Sequence, residues 1–269
     1  MLYEAVNVGQ RASSGRALPP MVMAQSQDGQ QLVEVFLKGP HFSSSKTFDN
    51  ILEREWMAGR LASELGLPCA RGCQVVVLPE LIATVGDQVL RHQLELGPEV
   101  LFGSISAGPQ WNVWTSATPA RRAALPTMAS IYLFDTLIDN FDRSEHSPNL
   151  LLHGDDFLMI DHGEAFQNAS GTGGYEDLQG KPWLPAQLQN TAGFDQHIFW
   201  PRLRHRDMPE FTRAASDWSR LPGDMFAGIA AEIPSCWDRT TVNRITDYLC
   251  EGVEYLAAVL ANIEEELQR

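Results

Sequence analysis

The segment Asp139-Asn-Phe-Asp142-Arg-Ser-Glu-His-Ser-Pro-Asn149-Leu-Leu-Leu-His-Gly-Asp-Asp-Phe-Leu-Met-Ile-Asp161-His-Gly163 carries most of the chemical information in the chain. Residues 150–153 and 157–160 read as two short apolar strands, joined by the turn composition Gly154-Asp155-Asp156. Folding that hairpin about Asp155 sets Asn149 opposite Asp161 at its open end, with Asp142 arriving in the loop just before the first strand. One amide oxygen and two carboxylates then converge on one mouth. These are hard oxygen groups of the kind that hold Mg2+. Phosphoryl transfer needs such a set: Asn and Asp oxygens hold the metal on nucleotide phosphates, while a further carboxylate accepts the proton of the attacking hydroxyl.

The same chemistry needs a cation on the phosphates, and Lys38 is placed for it. Residues 21–24, the turn Ser26-Gln-Asp-Gly29 and residues 32–37 predict a β-hairpin, with Lys38 at its end and Gly39-Pro40 stopping the strand. Residues 48–65 then repeat Leu52, Trp56, Leu61 and Leu65 at intervals near four, a helix stopped by Gly66-Leu67-Pro68. Glu55 on that helix is the expected partner of Lys38, with Glu53 as its rival. The first 20 residues read as a loop-rich lead-in, and residues 75–78, 81–85, 89–94 and 100–105 as β-like runs. The first part of the chain is therefore expected to be a sheet with one inserted helix. After Pro109 the pattern turns helical, with Thr127 capping a helix from Met128 to about Asn140. Residues 242–267 form a single apolar stripe, expected to pack on its own domain.

Composition narrows the function classes. Of 269 residues, 44% are apolar and 20% charged, an ordinary globular balance. Lys and Arg total 20 against 34 Asp and Glu, a net charge of −14, which argues against general binding to nucleic acid or anionic membrane. No apolar run approaches the ~18 residues that span a bilayer, and the N-terminal residues lack a signal-peptide pattern, so a cytoplasmic location is expected. The four cysteines, including Cys69-x3-Cys73, have no zinc-site spacing and read as reduced and structural. His146, His153 and His162 raise a Zn or Mn hydrolase reading, without any H-E-x-x-H spacing behind it. The run Gly171-Thr-Gly-Gly-Tyr175-Glu-Asp-Leu-Gln-Gly180-Lys-Pro182 is not a Walker loop, because Tyr175 and Pro182 stand where glycine and Ser or Thr are required; it reads as a mobile segment near an acceptor. Arg202, Arg204, His205 and Arg206 form a basic cluster, read as a solvated face or a contact for an acidic partner or substrate.

Taken together, Asn140-x-Asp142-Arg143, Asn149-Leu-Leu-Leu and Ile160-Asp161-His162-Gly163 resemble the HipA-like kinases, bacterial serine/threonine kinases with a protein-kinase-like active-site layout. Leu37-Lys38-Gly39 is similar to the ATP-contacting lysine strand of that family, Glu55 to its helix glutamate, and Ile233-Pro-Ser-Cys-Trp237 to a late Ile-Pro-x-x-Trp element. The resemblance implies an α/β (α+β), two-lobed protein-kinase-like fold, with a β-rich lobe over residues 1–108 and a mainly helical lobe over 109–269. It implies ATP and Mg2+ as cofactors and a protein substrate bearing Ser or Thr. Asp142 would be the catalytic base, Asn149 and Asp161 the metal ligands, and Lys38 the phosphate contact paired with Glu55. Ser14 and Arg16, within Ser13-Ser-Gly-Arg16, are the candidate ATP-phosphate loop. Two departures stand out. Asp142 and Asn149 are seven positions apart where the common kinase pattern has five, with Ser147 at the five-residue point, and Arg143-Ser144 stands where many relatives have Arg-His. A catalytically silent nucleotide-binding module and a small-molecule or lipid kinase remain as alternatives.

Overall fold

The computed structural model describes residues 1–11, 19–42, 49–119, 121–170, 181–184, 195–205 and 208–268. Strands β1 (Leu2–Arg11), β2 (Pro20–Ser26), β3 (Leu32–Lys38), β4 (Gly72–Val76) and β5 (Val100–Ile105) close into a barrel in the order β1-β2-β3-β5-β4. Every pairing is antiparallel except β1 with β4. Alternation builds the interior: Pro20, Val22, Ala24 and Ser26 of β2 are buried, and they meet Tyr3, Ala5, Val35, Leu37 and Val75. The β2–β3 hairpin forms about Asp28-Gly29 as expected, with Val22 opposite Val35 and Gly29 at φ +71°.

Two expectations fail in this part of the chain. Residues 2–11 are a strand, not a loop, because Tyr3 and Ala5 alternate into the barrel and pair with β2 despite the glycine and serine that follow. Residues 81–85 and 89–94 are not strands: 81–84 belong to helix α2 (Pro79–Thr84), which Val85 ends, and 89–94 to helix α3 (Gln88–Leu96). Here local capping outweighs β-propensity: Pro79 occupies the first turn of α2, and the Asp87 carboxylate accepts the Val89 and Leu90 N–H groups at the start of α3.

Helix α1 (Ile51–Glu64) lies between β3 and β4 in the chain. It ends as its sequence requires: Gly66 takes φ +65°, Leu67 N–H donates to Ala62 O and Gly66 N–H to Ser63 O. Its apolar side, including Ile51, Trp56 and Leu61, belongs to the large core formed with the later helices. At the centre of that core is α4 (Leu125–Leu137), buried on all sides. It starts before the expected Thr127 cap because Pro126 suits the first turn. It stops early at a left-handed Asp139, φ +55°, with Asn140 N–H on Asp135 O and Asp139 N–H on Thr136 O.

Strands β6 (Asn112–Val113), β7 (Leu150–His153) and β8 (Asp156–Met159) form a second, three-stranded sheet. The β7–β8 hairpin is one residue out of the expected register: Leu150 pairs with Met159 and His153 with Asp156. A two-residue turn, Gly154-Asp155 with Gly154 at φ +62°, draws Asp156 into the strand. Asn149 consequently faces Ile160, whose N–H it accepts at 3.0 Å, and not Asp161. After α5 (Gln167–Ser170) come helices Trp200–Leu203, Pro209–Ser219, Met225–Ala231, Arg239–Glu254 and Leu256–Gln268. The last two were expected as one helix; they part at Tyr255, yet Ile245, Leu249, Leu256, Ile263 and Leu267 remain buried in the molecule's own core. Among the described residues no helix is long and apolar enough to cross a membrane. All four cysteines are free thiols.

Candidate active site

Lys38 ends β3 with its side chain 5% exposed, its Nζ 2.8 Å from Asp161 Oδ1 and 3.4 Å from Glu55 Oε1. Burial pulls the lysine pKa down, but the two carboxylates outweigh it and hold the amine above its ordinary value. Of the two rivals on α1, Glu55 therefore meets Lys38, while Glu53 Oε1 accepts the Asp238 N–H on another side of the helix. Glu55 Oε2 also accepts the His162 N–H at 3.1 Å. Burial raises the Glu55 pKa against the pull of Lys38. Asp161 behaves oppositely. Its side chain is 43% open, and although burial works against its charge, the nearer Lys38 contact holds its pKa below the usual carboxylate value. Asp161 thus keeps its charge beside Lys38.

On the other side, Asp142 Oδ2 accepts from Asn149 Nδ2 at 2.8 Å and from Ser147 Oγ at 3.0 Å. The seven-residue spacing still brings Asn149 onto Asp142, and Ser147, at the five-residue point, takes the second place on the same oxygen. Asn149 and Asp161 both adopt left-handed backbone, φ +45° and +55°. Asn and Asp are the side chains that tolerate this best. Both line one cleft of about 360 Å3, together with Lys38, Ser147, Phe36 of β3 and residues 104–107 after β5.

The donor chemistry here fits Mg2+. Because the Asn149 amide nitrogen is spent on Asp142, its oxygen occupies the other side of the amide, and Asp161 offers an ionised, partly open carboxylate in the same cleft. Among the described residues, no three His, Cys, Asp or Glu side chains cluster as a metal centre. Ser14 and Arg16 lie outside the described residues, as do residues 171–180 of the glycine-rich run and Arg206.

A family model for HipA-like kinases matches residues 7–173, well over half of the chain. The chain belongs to the HipA-like kinase family. Its fold is also similar to that of the Helicobacter pylori proinflammatory kinase CtkA, with a TM-score of 0.51 over 92% of this chain and 94% of that one. At 10% identity that likeness is one of fold. No curated protein matches the sequence.

Behind the cleft, this HipA-like kinase is organised by a residue whose weight the sequence does not reveal. Arg143, fully buried, donates through Nε and Nη2 to both oxygens of Asp135 on α4, at 2.6 and 3.2 Å. It also donates to the Asn149 carbonyl and, at 3.5 Å, to the Ile160 carbonyl. One guanidinium thus spans the backbone beside both Asn149 and Asp161. Its Nη2 lies 3.1 Å from His162 Nε2; arginine only donates, so that nitrogen accepts and the ring is neutral. Burial and the Arg143 charge press the His162 pKa to about 3. His162 packs edge-on to Phe134 of α4.

Asp135 accepts further bonds from Asn140 Nδ2 and His197 Nε2. His197 Nδ1 takes the Phe199 N–H, which leaves the proton on Nε2. Burial opposes ionisation of Asp135, but Arg143 and these donors drive its pKa far below the usual carboxylate value. A lone carboxylate inside the apolar run of residues 128–138 was the available signal, since it must find partners when buried. Of the basic cluster, Arg202 is spent on the Ser116 and Thr118 carbonyls, and Arg204 lies over the Trp200 ring.

Proposed function

We propose that the protein is an ATP-dependent kinase that transfers the γ-phosphoryl of Mg-ATP to a serine or threonine hydroxyl of a protein substrate. One observation carries this reading: Lys38, held by Glu55 and Asp161, shares a single cleft with Asn149 and Ser147, both of which bond Asp142. The barrel of residues 1–108 would serve as one lobe and the helical part, residues 109–269, as the other.

Lys38 presents a fixed cation to phosphate oxygens, and Glu55 keeps it charged and aimed. Asn149 Oδ1 and Asp161 would hold Mg2+, which when bound neutralises charge on the phosphates. Asp142 accepts the proton of the acceptor hydroxyl as its oxygen attacks. The bonds from Ser147 and Asn149 set the plane of that carboxylate. Phosphoryl transfer asks for little covalent chemistry from the protein, so positioned charges suffice.

Thermal unfolding with and without Mg-ATP tests the site. At about a hundredfold excess over Kd, stabilisation of about 2.7 kcal/mol is expected for the native protein and none for Asp161→Asn. Phosphotransfer to a Ser/Thr peptide library then tests the reaction, which Asp142→Asn should abolish while ATP binding persists. Absence of any Mg-ATP stabilisation would overturn the proposal. The long Asp142–Asn149 separation favours one second reading, a silent nucleotide-binding module, in which Asp142→Asn changes nothing.

A further inference from the structure

We infer that residues 232–238 latch α1 in place, which makes Glu53 and Trp237 positioning residues for the Lys38–Glu55 pair. The inference rests on the kinase reading only for the importance of that pair. Positions 53, 56 and 60 share one face of α1, spaced i, i+3 and i+7, while Glu55 lies about 200° from Glu53 around the helix. Each of the three is held by the same short segment. Glu53 Oε1 accepts the Asp238 N–H at 2.7 Å, with Glu53 only 3% exposed. The Trp237 ring stands edge-on to Trp56, centroids 6.1 Å apart. Arg60 places a two-pronged bond on both Glu232 oxygens, at 2.8 and 3.0 Å.

The segment also grips the barrel. Trp237 Nε1 donates to Val100 O of β5 at 2.7 Å, and Gln74 Nε2 of β4 donates to Glu232 O at 2.9 Å. It includes the Ile233-Pro-Ser-Cys-Trp237 element, which lines no part of the cleft. Successive turns of α1 are therefore pinned from outside while Glu55 faces Lys38 from within. Rotating α1 away from Lys38 would break the Glu53, Trp56 and Arg60 contacts together. α1 is accordingly a fixed wall of the site.

The test needs no nucleotide, so it fails or succeeds separately from the kinase reading, which is judged by Mg-ATP stabilisation. Hydrogen exchange is followed in α1 and, as an internal reference, in α4. Acetylation of Lys38 by acetic anhydride is mapped in parallel by mass spectrometry. In Glu53→Ala, α1 amides should exchange about tenfold faster with α4 unchanged, and Lys38 should acetylate several-fold faster. Glu53→Gln, whose amide oxygen still accepts the Asp238 N–H, should restore both. Trp237→Phe keeps an aromatic ring, smaller than the indole, and loses the Val100 bond, and should move both readouts the same way by less. It serves as the deciding variant should Glu53→Ala fail to fold. Exchange rising equally in α1 and α4, Lys38 reactivity unchanged in the folded variants, or Glu53→Gln behaving like the alanine would each overturn the latch.

Discussion

Asp139→Asn should stabilise the protein strongly at pH 8 and much less at pH 5. Asp139 is 1% exposed at the left-handed end of α4, and burial pushes its pKa up to about 8 against two bonds from Asn168. Its ordinary value is 3.8, about four pH units lower. A carboxyl raised on folding contributes stability that is complete below its unfolded pKa and lost as pH climbs through the folded one. At ~1.4 kcal/mol per pH unit the whole effect is on the order of 5 kcal/mol, with roughly 3–4 kcal/mol of it falling between pH 5 and 8. Asparagine cannot ionise, tolerates the φ of +55°, and its carbonyl still accepts from Asn168. Urea unfolding of both proteins at each pH from 5 to 8 measures the difference. His162 and His197 are buried neutral and change stability the other way, losing it as pH falls below about 6.5, but they act in both proteins and cancel. A difference that stays flat across this range would refute the reasoning, because Asp139 would then ionise as an ordinary carboxylate.

Three further outcomes are expected. Ser147→Ala removes a donor from Asp142 Oδ2 and should lower kcat by about two- to tenfold with little change in the KM for ATP, and an unchanged kcat would show that the contact is idle. Arg143→Met strands Asp135 in the core and should cost about 3–5 kcal/mol in urea unfolding; combined with Asp135→Asn the loss should fall short of the sum, whereas strict additivity would contradict a shared network. Gly103→Ala places a Cβ against Val35 Cγ1 and 2.8 Å from Val75 Cγ2 inside the barrel, and should lower stability by about 1–3 kcal/mol by thermal unfolding, with no loss if the barrel is looser than it looks.

Features controlled by near neighbours in the chain were legible in the sequence. The Asp28-Gly29 hairpin, the Gly66 helix stop and the end of β3 at Lys38 follow from backbone preferences that act over a few residues. The chemistry of residues 139–163 was legible for a similar reason: hard oxygen donors crowded around a hairpin have few other uses. Where two local signals competed, reading failed. β-branched runs at 81–94 yielded to Pro79 and the Asp87 cap, and the β7–β8 turn closed on two residues instead of three.

The remaining decisions belong to tertiary structure. That Glu55 and not Glu53 meets Lys38 depends on how α1 is rotated, which is set by its packing against Trp237 and Asp238, some 180 residues away in the chain. That Asp135 must be paired follows from its apolar neighbours, but Arg143, Asn140 and His197 become its partners only once α4 is enclosed and the following loop is folded back over it. Burial makes an unpaired charge intolerable, and the sequence states that demand; only the closed core determines which groups are near enough to meet it.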